Sequence, residues 1–408
     1  MTQYQSDFLN TIVARGQFHQ CSDIERLDEA LQPGFMGYIG YDLTAPSLHV
    51  GNLAQIMLQR RLQQAGGRPI VLLGGGTTRI GDPSGRDETR QLLSDATIAA
   101  NRASIMSVFD KFLHFGDGPS DAVMVDNSDW LLDLNLVDFL RDVGRHFSVN
   151  RMLTMDSVRM RLEREQPLTF IEFNYMVLMA YDFVMLNRDR GCRLQMGGSD
   201  QWGNIIMGVE LNRRMDGAET FALTQPLITT ATGDKMGKTA SGAVWLNADM
   251  TNPYDYWQFW RNTHDADVGR MLRIFTDLPL DEIERLETLG GAEINHAKKV
   301  LADAATALCH GEAAAGEASE TARKTFEEGS AGDALPTLEV TGEISLVDAL
   351  VGLGLVPSKA EARRRIASGA ARIDGVKMLD EAAVVRMEAG SVKISASGKS
   401  HGVLLPGG

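Results

Sequence analysis

Apolar positions in the first half of the chain come in two kinds of run. Phe35–Tyr41 and Pro69–Gly74 are short apolar stretches bounded by glycines, the pattern of buried strands. Between them Leu53, Ile56, Met57 and Leu62 recur at roughly helical spacing, so Leu53–Gln64 predicts a helix. Strand, helix and strand within about 40 residues make a βαβ unit, which requires a parallel sheet. Helical spacing also covers Ala96–Phe112, Leu136–Val143, Glu172–Leu186 and Asp200–Met215. Beyond about Phe221 the pattern turns mostly helical, at Asp255–Asn262, Asp281–Leu289 and Ile294–Cys309, and Ala/Glu-rich Gly311–Phe326 can extend it. Glu327–Gly342 runs through Gly, Ser, Asp and Pro and reads as a linker. Two short helices follow, then β-like runs at Ala371–Ile373 and Ser391–Ser395. The expected fold is α/β with a parallel sheet over 1–220, a helical domain over 221–326, a linker over 327–343 and a small α+β domain over 344–408.

The length of 408 residues fits two or three domains. The 44% apolar and 23% charged fractions are those of a soluble globular protein, and no run reaches the ~18 apolar residues that span a bilayer. Met1–Gln20 is polar and lacks the basic start and apolar centre of a signal peptide. Cys21, Cys192 and Cys309 lie far apart, with no CxxC and no Cys/His cluster at zinc spacing. Neither a disulfide scaffold nor a structural zinc site is expected, and the expected compartment is the reducing cytoplasm. A net charge of −14 argues against a nucleic-acid partner for the chain as a whole. From Ser345 to Gly408, however, nine Lys and Arg face six Asp and Glu, a balance of +3 that leaves −17 for the rest. An acidic body with a basic tail keeps an RNA partner open, provided contact is local.

The most informative stretch is Tyr38-Ile-Gly-Tyr-Asp-Leu-Thr-Ala-Pro-Ser-Leu-His-Val-Gly-Asn52. A strand ends near Tyr41, a Pro-containing loop follows, and a helix begins around His49. His49 and Asn52, three apart, project from the same side of the first turn. Gly51 leaves the backbone uncovered, and the free N–H groups and positive dipole end of a helix start suit an anion. Two neutral donors there form a candidate phosphate clamp, although a surface His and an Asn beside a helix cap would look the same. Lys235-Met-Gly-Lys-Thr239 follows Gly233-Asp234 and puts two lysines on a flexible loop. Mobile cations are what a triphosphate needs when negative charge builds during transfer.

These segments resemble the two signatures of the class I aminoacyl-tRNA synthetases. His49-Val-Gly-Asn52 is similar to the HxGH-type turn and Lys235-Met-Gly-Lys-Thr239 to the KMSKS-type loop, each as a variant. Gly81-Asp-Pro-Ser-Gly85, Tyr175-Met-Val-Leu-Met-Ala-Tyr-Asp182 and Gln195-Met-Gly-Gly-Ser-Asp-Gln-Trp-Gly-Asn204 narrow the resemblance to the bacterial-type tyrosyl-tRNA synthetases. With a tail like an S4 RNA-binding domain, it covers essentially the whole chain. The resemblance implies a Rossmann-like catalytic domain, an α-helical domain carrying the Lys235–Thr239 loop, and an S4-like C-terminal domain. It implies a tyrosine–tRNA ligase that makes tyrosyl-adenylate from tyrosine and ATP, then passes the tyrosyl group to the 3′ end of tRNA. ATP would be a co-substrate accompanied by Mg2+, with no tightly bound cofactor, and the protein a homodimer with Leu131–Met152 contributing to the interface.

Tyr175, Met179 and Asp182 stand at i, i+4 and i+7, on one helix face. An Asp on an otherwise apolar face is either solvent-exposed or buried with a partner. A buried carboxylate that accepts a phenolic O–H, helped by Tyr38, would select tyrosine, because phenylalanine leaves those polar groups unpaired. By resemblance, Asp82, Tyr175, Gln195 and Gln201 surround the amino-acid moiety, with Asp82 and Tyr175 near its ammonium. Asp42 and Asp200 fall where the family contacts the amino acid or the ribose. Gly40, Gly51 and the pair Gly197-Gly198 let backbone approach the nucleotide. Thr44, His49, Asn52, Arg86, Arg90, Lys235, Lys238 and Thr239 would serve the phosphates. The family usually has a lysine near position 86, and an arginine offers a planar fork instead of a point charge. It also has a glutamine where this chain has Met179, a residue that cannot donate and whose plainer role is packing.

In the tail, Lys359, Arg363, Arg364 and Arg365 form a basic strip similar to the RNA-binding helix of S4 domains. Arg213 and Arg214 are weaker candidates for the acceptor stem. A tryptophan-specific relative and a non-ligase RNA-binding protein on the same scaffold are the alternative readings. Asp182 with Tyr38 disfavours the first, and the phosphate-binding residues disfavour the second.

Overall fold

The computed structural model describes residues 4–81, 93–231, 236–239, 242–326, 335–387, 390–397 and 400–407. In chain order the first elements are α1 (Asp7–Ala14), β1 (Gln20–Cys21), α2 (Ile24–Ala30), β2 (Met36–Tyr41), α3 (Val50–Gln64), β3 (Arg68–Leu73), α4 (Asp95–Phe109) and β4 (Val123–Asp126). Then come α5 (Ser128–Leu131), α6 (Leu136–Asp142), α7 (Val149–Leu153), α8 (Asp156–Glu163), α9 (Phe170–Arg190), β5 (Leu194–Gly198), α10 (Trp202–Asp216) and β6 (Phe221–Gln225). A two-strand hairpin of β7 (Lys238–Thr239) and β8 (Gly242–Ala243) precedes α11 (Pro253–Arg261), α12 (Val268–Phe275), α13 (Leu280–Glu287), α14 (Ile294–His310) and α15 (Glu312–Phe326). The tail holds β9 (Thr337–Val340), β10 (Glu343–Ser345), α16 (Leu346–Gly352), α17 (Lys359–Ala367), β11 (Arg372–Ile373), β12 (Val376–Lys377), β13 (Val384–Arg386), β14 (Val392–Ser397) and β15 (Ser400–Pro406).

Contacts divide the chain into two compact units. The first comprises Met1–Gly237, Trp245–Asn247 and His264–Gly290. Its sheet runs β1-β6-β5-β2-β3-β4, parallel except where β1 meets β6. Five consecutive residues of β3 are buried, which explains its unbroken apolar sequence. Strand β2 has β3 on one side and β5 on the other, so connections leave it in opposite directions; open α/β sheets bind ligands at the carboxyl end of such a switch point. Tyr38 on β2 lies in register with Ile70 on β3 and Gln195 on β5. Helix α3 buries Leu53, Ile56, Met57, Leu58 and Leu62. Helix α9 starts on a Thr169–Glu172 capping box and stops at Gly191, whose φ of 68° suits glycine. Glu172 also pairs with Arg161 at 3.1 Å, both side chains almost fully buried.

The segment carrying α12 and α13 is bound to the first unit by arginines. The Arg15 guanidinium donates to the carbonyls of Arg273, Thr276 and Leu278 at 2.7–3.0 Å. Arg60 and Arg61 both bond Asp277, and Arg61 reaches the Thr276 carbonyl at 2.6 Å. Burial alone would raise the Asp277 carboxyl; the two guanidinium groups hold it down at about 2. The boundary expected at 220 therefore needs correction. Residues 221–225 are the sheet strand β6, and 264–290 pack with the first unit.

The second unit comprises Lys238–Val244, Ala248–Thr263 and Gly291–Gly408. Its helical part packs α11 against α14 and α15 and buries Tyr256, Trp257, Trp260, Leu301 and Ala305. The tail has a five-stranded sheet, β12-β11-β14-β15-β9, and a separate β10–β13 pair. Leu346, Leu350, Ile366, Ile394 and Leu404 form its core. The expected linker 327–343 is corrected at its end: 337–340 are β9, paired in parallel with β15, and Val340 is buried. Residues 327–334 lie outside the described residues.

Candidate active site

Asp182 is the centre of the best-braced part of the site. It lies on α9, almost fully buried, and its two carboxylate oxygens accept from Asn127 Nδ2 at 2.9 Å and Trp130 Nε1 at 2.8 Å. Burial raises its pKa, the two hydrogen bonds lower it, and the nearby charges of Asp42 and Asp126 raise it again; the outcome is about 7. The other Asn127 N–H reaches Thr77 Oγ1 at 3.1 Å, and the Thr77 hydroxyl donates to Asp42 Oδ1 at 3.1 Å. Asn127 Oδ1 in turn accepts the Gly76 amide at 2.8 Å. A continuous network thus joins the ends of β2, β3 and β4 to α9. Gly74 and Gly75 are required there, because a Cβ would come within 2.6 Å of Asp42 Oδ1 and 2.3 Å of Asp126 Oδ1.

Tyr38 and Gln195 share a sheet face beside this network. Tyr38 packs edge-on against Phe183 at 5.3 Å and is fully enclosed. Burial, then the nearby Asp182 charge, push its phenol well above the usual tyrosine range, so the hydroxyl keeps its proton. Neither that hydroxyl nor either amide atom of buried Gln195 has a partner among the described residues. Leaving such groups unpaired costs about 1–3 kcal/mol each, so a ligand that supplies partners is favoured. Tyr175 is buried and Met179 half-buried on α9, one turn apart on the face that leads to Asp182. Gln201 donates to Asp200 at 3.3 Å and accepts from Asn204 at 3.1 Å, and Asp200 is exposed.

The candidate phosphate end is built on the start of α3. His49 is the N-cap: its Nδ1 accepts the Gly51 amide at 2.9 Å, and Asn52 Oδ1 accepts the His49 amide at 3.2 Å. The Asn52 amide bonds the His49 carbonyl at 2.8 Å. Three first-turn N–H groups are therefore already satisfied, a correction to the expectation of free backbone donors. The same bonds assign side-chain roles. Nδ1 accepts, so the neutral ring carries its proton on Nε2, and the Asn52 NH2 is likewise left as the donor end. Both readings of the pair hold at once: a cap, and two oriented donors at the positive end of a helix.

Gly51 is needed because a Cβ would meet His49 Cε1 at 2.6 Å and the Met236 carbonyl at 2.9 Å. Gly237, at φ 82°, faces the Gly51 amide just as closely. Met236 and Gly237 thus rest on the start of α3. Trp245 bridges to His49 in an antiparallel sense, and the Leu246 amide bonds the Leu48 carbonyl at 2.9 Å. Lys238 and Thr239, expected on a flexible loop, instead form β7. Thr44 is half-buried, and its neighbour Leu43 is fixed by Thr78 Oγ1 and Asn101. Gly40 is exposed. At Gly197 and Gly198 the space is taken by Ile205 and Asp200, so internal packing accounts for that pair. Asp82, Arg86, Arg90 and Lys235 lie outside the described residues.

The candidate RNA-contact residues are all ion-paired. Arg213 and Arg214 both bond Glu210, at 2.9 and 2.7 Å, and their hydrogen bonds hold that carboxyl at about 2 against the upward pull of burial. In the tail Lys359 pairs with Asp348 at 2.7 Å, Arg363 with Glu381 at 3.9 Å, and Arg364 and Arg365 with Glu361 at 2.5 and 2.9 Å. Four cations face three anions there, so the strip is far less positive than its sequence.

Sequence reasoning missed Asn127, Trp130, Thr77 and the Gly74–Gly76 turn. The available signal was position: Asn127 and Trp130 follow a strand at the carboxyl edge of a parallel sheet, where ligands bind.

Residues 32–327 match the family model described as tRNA synthetases class I (W and Y). Residues 326–392 match the tyrosine--tRNA ligase SYY-like C-terminal domain. The chain is 65% identical to the tyrosine--tRNA ligase of Zymomonas mobilis and 59% identical to that of Rhodospirillum rubrum, over 100% of each chain. A C-terminally truncated mitochondrial tyrosyl-tRNA synthetase of Aspergillus nidulans superposes with a TM-score of 0.70 at 30% identity, over 79% of this chain and 94% of that one. The Archaeoglobus fulgidus tyrosyl-tRNA synthetase complexed with L-tyrosine shares the fold, with a TM-score of 0.56 at 17% identity, over 77% of this chain and 100% of that one.

Proposed function

The chain belongs to the tyrosine–tRNA ligases among the class I tRNA synthetases, enzymes that activate tyrosine with ATP and transfer it to tRNA; from that membership we propose how its residues divide the work. The observation that carries the assignment is the pairing of a braced carboxylate, Asp182, with buried, unpartnered Tyr38 and Gln195. The tyrosine ring enters beside Tyr38, and its phenol donates to Asp182 and accepts from the Tyr38 hydroxyl. Each Asp182 oxygen accepts one bond and has a lone pair to spare. The ammonium group falls to Asp82 and Tyr175, with Gln195 and Gln201 alongside.

The first step is in-line attack by a tyrosine carboxylate oxygen on the α-phosphorus of ATP, with pyrophosphate leaving. In the second, the 3′-terminal ribose hydroxyl of tRNA attacks the activated carbonyl and AMP leaves. Neither step requires a covalent enzyme intermediate or a general base from the chain. Catalysis comes from alignment and from donors that engage the transition state more strongly than bound ATP. His49 Nε2–H, the Asn52 amide and Thr44 hold phosphate oxygens, and Arg86, Arg90, Lys235 and Lys238 meet the growing charge. Gly40, Asp42, Asp200 and Thr239 serve the nucleotide, and Mg2+ travels with ATP as part of that substrate.

The tail, through Lys359 and Arg363–Arg365, and Arg213 with Arg214 contact tRNA. Because their charges are internally paired, phosphates must compete with Glu361, Asp348 and Glu210. The protein is a homodimer: Leu136, Val137 and Val149 within 131–152 are exposed, and so is Phe170 at 80%, large apolar side chains of the kind that an interface covers. The cytoplasm is its compartment, consistent with three free cysteines. The test is ATP–pyrophosphate exchange with tyrosine, phenylalanine and tryptophan. Exchange must depend on tyrosine; equal exchange with phenylalanine would remove Asp182 and Tyr38 from the pocket.

A further inference from the structure

The turn that carries Asn127 and Trp130 is held by something other than its own helix. Helix α5, Ser128–Leu131, is a single turn, and so short a helix does not keep itself in place. Its N-cap is Asn127, a residue type that commonly caps with its own side chain, yet here it makes no such bond. The Asn127 side chain is committed to Asp182, Thr77 Oγ1 and the Gly76 amide. The missing acceptor comes from Asp126, whose Oδ1 takes the Ser128 amide at 2.8 Å.

Asp126 is itself fixed from two sides. As the last residue of β4 it lies in register with Leu73 of β3, and the Asn127 amide bonds the Leu73 carbonyl at 3.0 Å. Its side chain is 2% exposed, and Arg102 of α4 meets the second oxygen, Oδ2, at 3.2 Å. A pair of exposed ions would matter little. An enclosed carboxylate oxygen deprived of its cation is costly, which gives the exposed Arg102 a hold on the turn.

We propose that Asp126 is a positioning residue for tyrosine recognition: through Ser128 it fixes the turn that brings Asn127 and Trp130 onto Asp182, and Arg102 holds it there. This role rests on the reading of Asp182 as the acceptor of the substrate phenol. It calls for an acceptor oxygen and not for a charge. Burial is the chief reason the Asp182 carboxyl lies at about 7; the bonds from Asn127 and Trp130 lower it, and the charges of Asp42 and Asp126 raise it. Among the described residues, the titratable groups that face it are Tyr38 and Asp42 from the side of β2 and Asp126 from β4. Tyr38 keeps its proton, so the charges that oppose ionisation are those of Asp42 and Asp126, and Arg102 offsets the second.

The experiment is tyrosine titration at pH 6 and pH 8, with kcat of pyrophosphate exchange at saturating tyrosine measured beside it. Asp126→Ala should weaken tyrosine binding at pH 8 by roughly five- to tenfold and leave kcat within about twofold. Asp126→Asn keeps an oxygen for the Ser128 amide, so it should stay within about twofold of wild type at pH 8. At pH 6 it should bind tyrosine roughly two- to fivefold tighter than wild type, because more of Asp182 is ionised. Arg102→Gln should act in the opposite sense, weakening binding at pH 6 by about twofold, and should do nothing in the Asp126→Asn background. Wild-type affinity in Asp126→Ala at pH 8, or no rescue by Asp126→Asn, overturns the proposal. Should Asp126→Ala fail to fold, pH profiles of Asp126→Asn and Arg102→Gln identical to wild type overturn it as well. Unchanged tyrosine affinity in Asp182→Ala removes the reading of Asp182, and this inference with it. A weakened Asp182→Ala beside an unaffected Asp126→Ala strikes the inference alone.

Discussion

The two ends of the candidate site are constructed on opposite terms. Around Asp182 the polar groups are buried and bonded to residues 52 to 55 positions away in sequence. At the start of α3 the polar groups are partly buried and bonded to their own backbone within three residues. On the proposed reading, the difference follows from what each end has to distinguish. A phenol differs from a benzene ring by one hydroxyl, so its acceptor must be fixed before the ligand arrives. Phosphate charge changes during the reaction, so its partners need reach and correct polarity more than enclosure.

His49→Ala is the largest test of this contrast. It should slow adenylate formation by roughly 10²–10³, corresponding to about 2.7–4 kcal/mol of lost transition-state stabilisation. Tyrosine titration should be unchanged, and a thermal melt should register the lost cap as about 0.5–2 kcal/mol. Parallel loss of tyrosine affinity would mean the two ends are one cooperative body.

Asp182→Ala should do the reverse. Losing a hydrogen bond to a charged group costs about 1.5–3 kcal/mol, roughly 10- to 150-fold in tyrosine affinity. The Michaelis constant for ATP should stay near the wild-type value. An unchanged tyrosine dissociation constant would put Asp182 outside the pocket.

A pH series sharpens the same point. With Asp182 titrating at about 7, its better-accepting ionised form should make tyrosine binding about tenfold tighter at pH 8 than at pH 6. Asp182→Asn should flatten that profile. The stability effect has the same origin. A carboxyl whose folded pKa lies above its unfolded value stabilises the fold below about pH 4, and that contribution is lost as pH rises through about 7. Denaturant midpoints of Asp182→Asn relative to wild type should therefore improve with rising pH.

The smallest effect concerns Met179, one turn beyond Tyr175. If it faces the substrate ammonium, Met179→Gln should tighten tyrosine binding by at most about tenfold, near 1.4 kcal/mol. The Michaelis constant for tyrosine at saturating ATP is the measure. No gain in a normally folded variant would show that the ammonium is held by another route.

What the sequence revealed and concealed divides along the same line. The βαβ unit, α9, α10 and α14 were legible because their apolar spacing is local. The His49–Asn52 turn was legible because its two side chains act within one turn of helix. Asn127 and Trp130 were not, since nothing in the sequence around them indicates that they converge on a carboxylate beyond position 180. Strand β6 was read into the helical region because five residues carry too little period to separate strand from helix. Strand β9 was read as linker because its partner lies more than 60 residues downstream. The basic strip was visible as a count of cations, but the acids that neutralise it come from three separate elements and turns.

Strand β15 lies between β14 and β9, so the last strand among the described residues is also an interior strand of the tail sheet. During synthesis the sheet stays in two pieces, with β9 waiting beside an empty edge until 400–406 emerge. The first unit, whose sheet is complete by residue 225, can fold long before that. A chain cut before β15 would thus keep an intact catalytic sheet and carry an open, strand-seeking edge in its tail.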